Sequence, residues 1–433
     1  MGVRATVRAG ASRHLTNWAG NYTYEAARVH APATVPDLQE LLSRARSIRA
    51  LGSRHSFNDV ADGPGDLVSL ERLPRVVDID RGGSTVTVGG AARYGDICRP
   101  LHEAGFALAN LASLPHISIA GACATGTHGS GNAIGNLSSA VAALEMVTAS
   151  GELRTLRRGE EAGAFNGAVV ALGALGVVTR VSLDLEAAFD VQQEVFEDLP
   201  TTTFIERFDE ITATARSVSF FTDWRGPQID KVWLKRRVAP GERLAPIPEL
   251  FGARRASRDL HPIRGLDAGA CTPQLGVPGP WFQRLPHFRM DHTPSSGNEL
   301  QSEYFVDRRH AVTAFEALDG LRPRIARLIQ VSEVRTIASD ELWLSPAYQR
   351  DSVAFHFTWR PDPAGVLGLL PDIEAAFAPF EPRPHWAKLF TMRAPELRAR
   401  YERLPAFAGL AGRLDPDRKF RNDFVERYLL AET

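Results

Sequence analysis

The sequence predicts an α+β protein with a glycine-rich N-terminal domain, a middle domain and a C-terminal return. Strand-like and helix-like segments alternate irregularly along the chain, and several of the strands meet at Gly-rich turns. The composition changes after about residue 186, where proline-rich connections become frequent. The length of 433 residues suits two or three domains. The turn-rich segment 414–425 is expected to be tied to the rest of the fold.

The first helix is predicted over residues 35–45. Thr34 is the expected N-cap, Asp37 follows three residues later, and Pro36 lies in the first turn, where a missing N–H is harmless. The other N-terminal elements follow from residue periodicity and from Gly and Pro boundaries. They are a strand over 48–51, a hairpin of 75–80 and 85–90, a helix over 94–105 kinked or shortened at Pro100, a hairpin over 141–156, and a segment over 167–186 that begins helical and becomes a strand after Gly176.

Two segments of small residues, 50–56 and 121–131, lie on either side of a hairpin, the second inside the aperiodic stretch 111–136. We expect 111–136 to be an ordered, buried loop. Glycines let backbone N–H groups approach a pyrophosphate, although tight structural turns would explain either segment alone. Neither is the dinucleotide fingerprint G-x-G-x-x-G or a P-loop, so a nicotinamide or ATP site is disfavoured. Turn chemistry does not explain why a residue as bulky as His55 lies in the first segment.

The middle domain is predicted to contain a helix and several strands. The helix covers 311–329, and the strands cover 217–224, 330–337, 353–359 and 383–390. Alternation places Glu333 with Arg335 on one face, and His356 with Thr358 on another. Segment 383–390 adds His385 and Lys388.

If these strands pair, one sheet face carries the Glu, Arg, His, Thr and Lys side chains. The alternative is a solvated outer face with surface ion pairs. The surrounding aromatic and apolar residues favour burial, and a buried carboxylate needs a partner.

Charge and composition exclude several functions. A net charge of −1 provides no field for nucleic acid or an anionic membrane, and no run of 18 apolar residues occurs. The N-terminus lacks the apolar region of a signal peptide; Gly2 and Thr6 fit a loose myristoylation pattern, for which an ordinary basic start is the simpler explanation. We therefore expect no nucleic acid, no membrane and a monomer.

The cysteines and lysines are few. Cys98, Cys123 and Cys271 suit a reducing cytoplasm and form neither a disulfide framework nor a zinc site, so no metal is expected. Lys231 and Lys235 are expected at a solvated edge. His128 is expected to be an orienting hydrogen-bond donor, and His30 and His116 are expected to be ordinary polar residues.

Several ordered motifs carry a family resemblance. "LGSRHSFN", "ASLPHISIAGACATGTHGSG", "GALGVVT", "E-x-R", "HFTW" and "PHWAK" resemble the vanillyl-alcohol-oxidase-type FAD enzymes, and within these the alditol oxidases, also called xylitol oxidases. The likeness runs from "NWAGN" to "DPDRKFRNDF". It implies a two-domain α+β fold with an FAD-binding domain over 1–186, a cap domain with an antiparallel sheet over 187–389, and a return over 390–433.

The resemblance also implies an FAD site and a covalent link from His55 to the flavin. Imidazole is a competent nucleophile toward an activated flavin carbon. Arg54 departs from the family, which has glycine there; it requires a different local backbone, an outward side chain or an anion partner on the flavin. The positions that match the cofactor site are Ala50, Leu51, Gly52, Ser53, Arg54, His55, Ser56, Ser113, Ser118, Gly121, Thr125, Gly126, Thr127, His128, Val178 and His385.

The implied reaction is FAD-dependent oxidation of the C1 hydroxyl of an alditol such as xylitol, sorbitol or glycerol, with dioxygen reduced to hydrogen peroxide. The matching substrate positions are Ser113, Glu333, Arg335, His356, Thr358 and Lys388. We assign Arg335 and Lys388 to the C1 oxygen and the flavin edge, and Glu333 to balancing their charges. His356 is the expected proton acceptor, because its unperturbed pKa lies near neutrality. The alternatives are an aldonolactone oxidase or dehydrogenase, which shares "HWAK", and a non-catalytic flavoprotein.

Overall fold

The computed structural model describes residues 15–160, 163–292 and 297–430, and it is an α+β fold, as predicted. Gly2 and Thr6 lie outside these residues. A small parallel sheet opens the chain, with the third strand between the other two. Its strands are Arg28–His30, Ile48–Leu51 and Asp66–Ser69.

Helix Val35–Arg44 confirms the first predicted helix and its cap. Thr34 Oγ1 accepts from Asp37 N at 3.2 Å, and Asp37 Oδ2 accepts from Thr34 N at 3.1 Å. This reciprocal capping box satisfies two donors at the helix start, so the chain enters the helix at a defined residue.

A five-stranded antiparallel sheet confirms both predicted hairpins and the strand after Gly176. Its strands, in spatial order, are Val77–Asp80, Thr85–Gly89, Val177–Asp184, Val141–Val147 and Leu153–Arg157. Helix Tyr94–Glu103 continues through Pro100 for one further turn. The helical start predicted in 167–186 is displaced, since the helix is Ala164–Ala168.

The middle of the chain forms a ten-stranded antiparallel sheet. In spatial order its strands are Glu249–Leu250, Ala253–Arg255, Asp190–Pro200, Gln228–Val238, Ser217–Thr222, Ile329–Ile337, Ser352–Trp359, Leu300–Asp307 and Arg383–Pro384, with Gly279–Pro280 beside Asp190–Pro200. Helices cover one face and enclose an apolar cluster that includes Phe204, Phe220 and Phe357. They are Thr201–Thr212, Ala311–Ala317, Arg322–Leu328 and Pro363–Phe377.

Three predicted elements differ from the structure. The helix predicted over 311–329 is two helices separated by a 3₁₀ turn at Asp319–Leu321, because Gly320 and Pro323 favour a break there. The loop 111–136 contains the short helix Ile119–Ala124. Segment 383–390 is a strand only at Arg383–Pro384 and then turns, with Lys388 N donating to His385 O at 3.0 Å.

The prediction of a solvated edge at Lys231 and Lys235 is wrong. Their strand, Gln228–Val238, lies inside the sheet with a neighbour on each side, and Lys235 is only 1% exposed. Lys231 Nζ donates to Pro262 O at 3.1 Å, and Lys235 Nζ donates to Leu285 O. Segment 256–288 covers this face, so the amino groups of both lysines are buried.

The C-terminal helices pack against the N-terminal half of the chain. Leu397, Phe407 and Val425 share one apolar cluster with residues of the five-stranded sheet. These helices are Ala394–Arg398, Leu404–Leu414 and Asp423–Val425. The division at 186–187 and 389–390 stays a prediction, which this distribution of sheets and clusters supports.

Candidate active site

One large cavity lies between the N-terminal region and the uncovered face of the ten-stranded sheet. Its volume is about 1560 Å³, and side chains from both regions line it. All predicted site residues line this cavity except Gly126. Gly126 instead adopts a φ of 67°, and a Cβ there would lie 2.9 Å from Pro346, so its role is a tight turn. Predicted site residues from Ala50 to Lys388 therefore meet at one site.

The two glycine-bearing loops approach each other closely at one end of the cavity. Ser118 N donates to Ser53 Oγ at 3.0 Å. A Cβ on Gly52 would lie 2.8 Å from Ser118 Oγ, and one on Gly121 would lie 2.7 Å from the same atom. A side chain at either position would therefore force Ser118 Oγ to move.

His55 projects from the first loop into the cavity wall. Its ring stacks on Trp18 at 5.2 Å between centroids, and its Nδ1 lies 3.1 Å from Ser53 Oγ. Burial lowers the pKa of His55 to about 4, opposed by its hydrogen bond to Ser53. The imidazole is therefore neutral at pH 7, and a nitrogen lone pair is available for a bond.

Arg54 adopts a left-handed conformation with φ of 62°. Its Nη1 donates to Thr16 O at 3.1 Å, and Trp18 N donates to its carbonyl at 2.7 Å. The residue thus keeps the backbone geometry that favours glycine. Three ways of accommodating Arg54 were predicted. The structure supports the outward side chain, which bonds the N-terminal segment at Thr16.

The strands of the ten-stranded sheet assemble the polar cluster at the other end of the cavity. Strands Ile329–Ile337 and Ser352–Trp359 pair as expected, with Glu333 opposite His356 and Val331 opposite Thr358. Residue alternation places all of these on the uncovered face. Lys388 joins them from the turn after Pro384, not from a strand.

Glu303, which the sequence analysis did not single out, is the central carboxylate of this cluster. It lies opposite His356 on strand Leu300–Asp307 and is 1% exposed. It accepts from Lys388 Nζ at 2.6 Å and from Arg335 Nη2 at 2.8 Å. Burial alone would raise the pKa of Glu303, but Lys388, His128 and Arg335 together hold that pKa well below its ordinary value.

This arrangement corrects the assignment of Glu333 as the partner of both cations. Arg335 Nε lies 3.5 Å from Glu333 Oε2, whereas Lys388 pairs with Glu303. Burial alone would raise the pKa of Glu333. Arg335 and, after it, His287 lower this pKa by more, so it lies below its ordinary value. Both carboxylates are therefore ionised at pH 7.

His128 connects the second loop to Glu303. Its Nδ1 lies 2.8 Å from Gly129 O, and its Nε2 lies 3.1 Å from Glu303 Oε1. Burial lowers the pKa of His128, so the ring is neutral at pH 7 and has a single N–H. That N–H donates either to Gly129 O or to the ionised Glu303 carboxylate, and both roles fit the prediction of an orienting donor.

His356 is not a free proton acceptor. Its Nδ1 lies 2.8 Å from Lys388 Nζ, and its Nε2 lies 3.0 Å from Thr358 Oγ1. The ammonium donates to Nδ1, so Nε2 carries the ring proton and donates to Thr358. Burial, with Lys388 adding to it, lowers the pKa of His356 to about 4, so it is a weaker base than its unperturbed value implied.

The remaining site positions complete the cavity wall. Thr127 Oγ1 lies 3.5 Å from His385 Nε2, and Ala387 N donates to His385 Nδ1 at 3.2 Å. Burial lowers the pKa of His385 well below its ordinary value, so the ring is neutral. The carbonyl of Ser113 accepts from His287 N at 3.1 Å.

Sequence reasoning missed Glu303, His287 and Lys235. Glu299, Gln301 and Glu303 alternate with Leu300 and Ser302, which is the pattern that identified His356. That alternation was the available signal for Glu303. No local pattern marks His287, which lies in an irregular segment.

Within residues 15–160, 163–292 and 297–430, no group of three or more His, Cys, Asp or Glu side chains is arranged to hold a metal ion. The same residues contain no helix that is both long and apolar enough to cross a membrane.

Comparisons with known proteins agree with this geometry. A family model described as an FAD binding domain matches residues 26–157, and one described as D-arabinono-1,4-lactone oxidase matches residues 296–428. Alditol oxidase from Streptomyces sp. is 49% identical over 421 residues, covering 96% of this chain and 99% of the relative. L-gulono-1,4-lactone dehydrogenase from Mycobacterium tuberculosis is 30% identical over 435 residues, covering 96% and 98%.

Two solved structures show the same fold at low sequence identity. Cholesterol oxidase from B. sterolicum superposes with a TM-score of 0.77 at 17% identity, covering 98% of this chain and 97% of that one. Xylooligosaccharide oxidase from Myceliophthora thermophila, solved with xylobiose, superposes with a TM-score of 0.73 at 15% identity, covering 96% and 94%.

Proposed function

This chain belongs to the alditol oxidase family of FAD-dependent oxidoreductases, and we propose that it oxidises the terminal C1 hydroxyl of a polyol. The observation that carries the proposal is the buried cluster of Arg335, Lys388 and Glu333 on one cavity wall, with Glu303 matching the two cations. Ionisable groups are costly to bury, and a binder of apolar molecules would not need them. Their donors and acceptors suit a hydroxyl-rich ligand.

The residues present fit FAD. A cavity of about 1560 Å³ exceeds the roughly 300–1,000 Å³ of an ordinary small-molecule site and accommodates a dinucleotide beside a small substrate. The glycines at 52 and 121 let the two loops pack closely around Ser118, so that both loops line the cavity. When bound, FAD supplies the hydride acceptor, and the protein supplies binding, orientation and electrostatics.

We assign the covalent attachment of FAD to His55. The ring is neutral, because burial lowers its pKa to about 4, and stacking on Trp18 restrains its orientation. A neutral, oriented imidazole is a suitable nucleophile. This assignment rests on the motif "LGSRHS" and on this environment.

At the polyol site, the cations act on the reacting oxygen. A primary alcohol is a weak acid, so loss of hydride from its carbon benefits from positive charge beside the developing alkoxide. Arg335 and Lys388 provide that charge. The hydroxyl proton enters the Lys388–His356 pair when Lys388 passes its shared proton to His356 Nδ1 and takes the proton of the alcohol.

The other polar residues select hydroxyl groups. Glu333 accepts hydrogen bonds from the substrate. Thr358 Oγ1 already accepts from His356, so its own proton is free to donate to a substrate oxygen. Ser113 lines the same part of the cavity. The products are the aldose or aldehyde and hydrogen peroxide, with dioxygen as the proposed acceptor, in the cytoplasm.

An aldonolactone oxidase or dehydrogenase is the second candidate, favoured by the family model that matches residues 296–428. The test is turnover of xylitol, sorbitol, glycerol and L-gulono-1,4-lactone, measured both as peroxide release in air and as reduction of an artificial dye. Turnover of the polyols supports the proposal. Turnover of the lactone alone identifies the second candidate, and no turnover of either contradicts both.

A further inference from the structure

A second buried lysine stands behind the polyol site. Lys235 is 1% exposed on strand Gln228–Val238, and its Nζ donates to Leu285 O and lies 3.1 Å from His287 Nδ1. It lines no part of the cavity wall described above. Burial lowers the pKa of Lys235 to about 7, and in either protonation state the amine keeps an N–H for each of these two acceptors.

The imidazole of His287 continues the chain of hydrogen bonds to the cavity. Its Nε2 lies 2.8 Å from Glu333 Oε1. Burial, with Lys235 adding to it, lowers the pKa of His287 to about 4, so the ring is neutral at pH 7. A neutral ring has one donor and one acceptor, so Nδ1 accepts from Lys235 and Nε2 donates to Glu333.

The same residue also contacts the loop that carries Ser113. His287 N donates to Ser113 O at 3.1 Å, and Phe288 N donates to that oxygen at 3.2 Å. The ring of His287 packs edge-on against Trp233 and Phe221, with centroids 4.9 Å and 5.5 Å away. The imidazole therefore has little freedom to rotate away from Glu333.

We propose that Lys235 and His287 are positioning residues of the polyol site, which fix the tautomer of one ring and so orient the Glu333 carboxylate and the Ser113 loop toward substrate hydroxyls. Neither residue takes part in hydride or proton transfer. The inference rests on the proposed polyol oxidation for its kinetic consequence, whereas the tautomer is independent of any substrate.

A lysine on the same strand provides a matched control. Lys231 is also buried, and its Nζ donates to Pro262 O at 3.1 Å, but no hydrogen bond leads from it to Glu333. If the loss of any buried lysine weakens xylitol binding, Lys231→Met and Lys235→Met should weaken it equally. If the hydrogen bond to His287 is what matters, only Lys235→Met should weaken it.

The kinetic test is anaerobic flavin reduction by xylitol in the holoenzyme. Losing a hydrogen bond to a charged group weakens binding by about 10- to 100-fold. His287→Leu and Lys235→Met should raise the half-saturating xylitol concentration by that factor, while the limiting rate falls by less than about 3-fold. His287→Gln, which keeps an N–H donor, should recover most of the affinity. Lys231→Met should bind xylitol as the wild type does.

The structural test is ¹⁵N NMR of selectively labelled histidine in the holoenzyme without substrate. The wild type should show His287 protonated at Nε2 only, and Lys235→Met should change the Nδ1 shift. A doubly protonated or Nδ1-protonated His287 would overturn the proposal, as would equal losses in Lys231→Met and Lys235→Met. If none of the polyols reduces the flavin of the wild type, the proposed function fails. The tautomer result still tests the chain of hydrogen bonds from Lys235 through His287 to Glu333.

Discussion

Glu303 Oε2 lies 2.6 Å from Lys388 Nζ, and this contact joins a strand of the ten-stranded sheet to the turn that follows Pro384. Lys388 has no regular secondary structure to hold it, so the carboxylate sets the position of its ammonium group. Arg335, bonded to the other oxygen of Glu303, is held in the same way. One buried carboxylate thus places both cations of the proposed polyol site.

Substitution of Lys388 tests its action on the reacting oxygen. Removing one oxyanion-stabilising donor typically lowers turnover by about 10²–10³-fold. Lys388→Met should therefore slow the limiting rate of anaerobic flavin reduction by xylitol by that factor, with Lys231→Met as the control for loss of a buried lysine. A wild-type rate in Lys388→Met would show that Lys388 only matches the charge of Glu303.

A double-mutant cycle tests the Glu303–Lys388 pair. Glu303→Gln leaves two buried cations without their carboxylate, and breaking a buried pair in this way costs about 3–5 kcal/mol of unfolding free energy. The double variant Glu303→Gln/Lys388→Met removes one of these cations and should be more stable than Glu303→Gln alone. Guanidinium unfolding of the four proteins gives the coupling energy. Additive losses would contradict the pairing.

His55 is tested by the fate of the flavin after denaturation. The wild type should stay yellow and fluorescent on a denaturing gel, whereas His55→Ala should lose all bound flavin. His116→Ala is the matched control, because His116 is a part-buried histidine whose Nε2 bonds Met290 O. Complete release of flavin from the wild type by acid would disprove the covalent link.

The resemblance to alditol oxidases implies that a small side chain at Ala112 leaves room for dioxygen beside the flavin, and substitution of Ala112 tests this. Its small side chain is 6% exposed and lines the cavity next to Ser113. Ala112→Val should slow reoxidation of the reduced enzyme by air-saturated buffer more than it slows reduction by xylitol. Stopped-flow measurement of the two half-reactions separates these effects, and an equal effect on both would indicate a general change of the pocket.

Acid should destabilise the protein through its buried histidines. Burial lowers the pKa of His261, His287 and His356 to about 4, whereas the unfolded chain has the ordinary value near 6.5. As pH falls from 6.5 to 4, the unfolded state binds more protons than the folded state, so stability is lost. Each histidine contributes a slope of up to about 1.4 kcal/mol per pH unit.

The measurement is the midpoint of guanidinium unfolding at pH 7, 6 and 5, which should fall steadily. His261→Asn provides the comparison, because its amide oxygen can still accept from Ile263 N, the present partner of His261 Nδ1. The stability of that variant should depend less steeply on pH, because one histidine fewer takes up a proton on unfolding. A midpoint that rises on acidification would contradict the assignment of neutral buried rings.

The sequence predicts the strands and faces of this site better than it predicts their charge pairing. Alternation placed Glu333, Arg335, His356 and Thr358 correctly, because a period of two decides which side chains share a face. It could not reveal that Glu303, rather than Glu333, neutralises Lys388. That choice depends on which strands are neighbours in space, and strand order is not encoded in local periodicity.

Turns and buried lysines were predicted least well, for physical reasons. Lys235 was expected in solvent because a lysine in a strand with neighbouring arginines usually lies at an edge. It is buried because segment 256–288, which is distant in sequence, packs over its face of the sheet. Segment 383–390 was expected as a strand, but after Pro384 the His385 Nδ1 accepts from Ala387 N, which favours a turn.

In the ten-stranded sheet, one stretch of chain packs the core with one face and lines the cavity with the other. Along Ser352–Trp359, Phe355, Phe357 and Trp359 enter the helix-covered core, while His356 and Thr358 face the cavity. Substitutions at His356 and Thr358 can therefore alter ligand preference without changing the apolar side chains packed on the opposite face. Divergence within such a scaffold is expected to concentrate at every second residue, so that new substrates are acquired at little risk to folding.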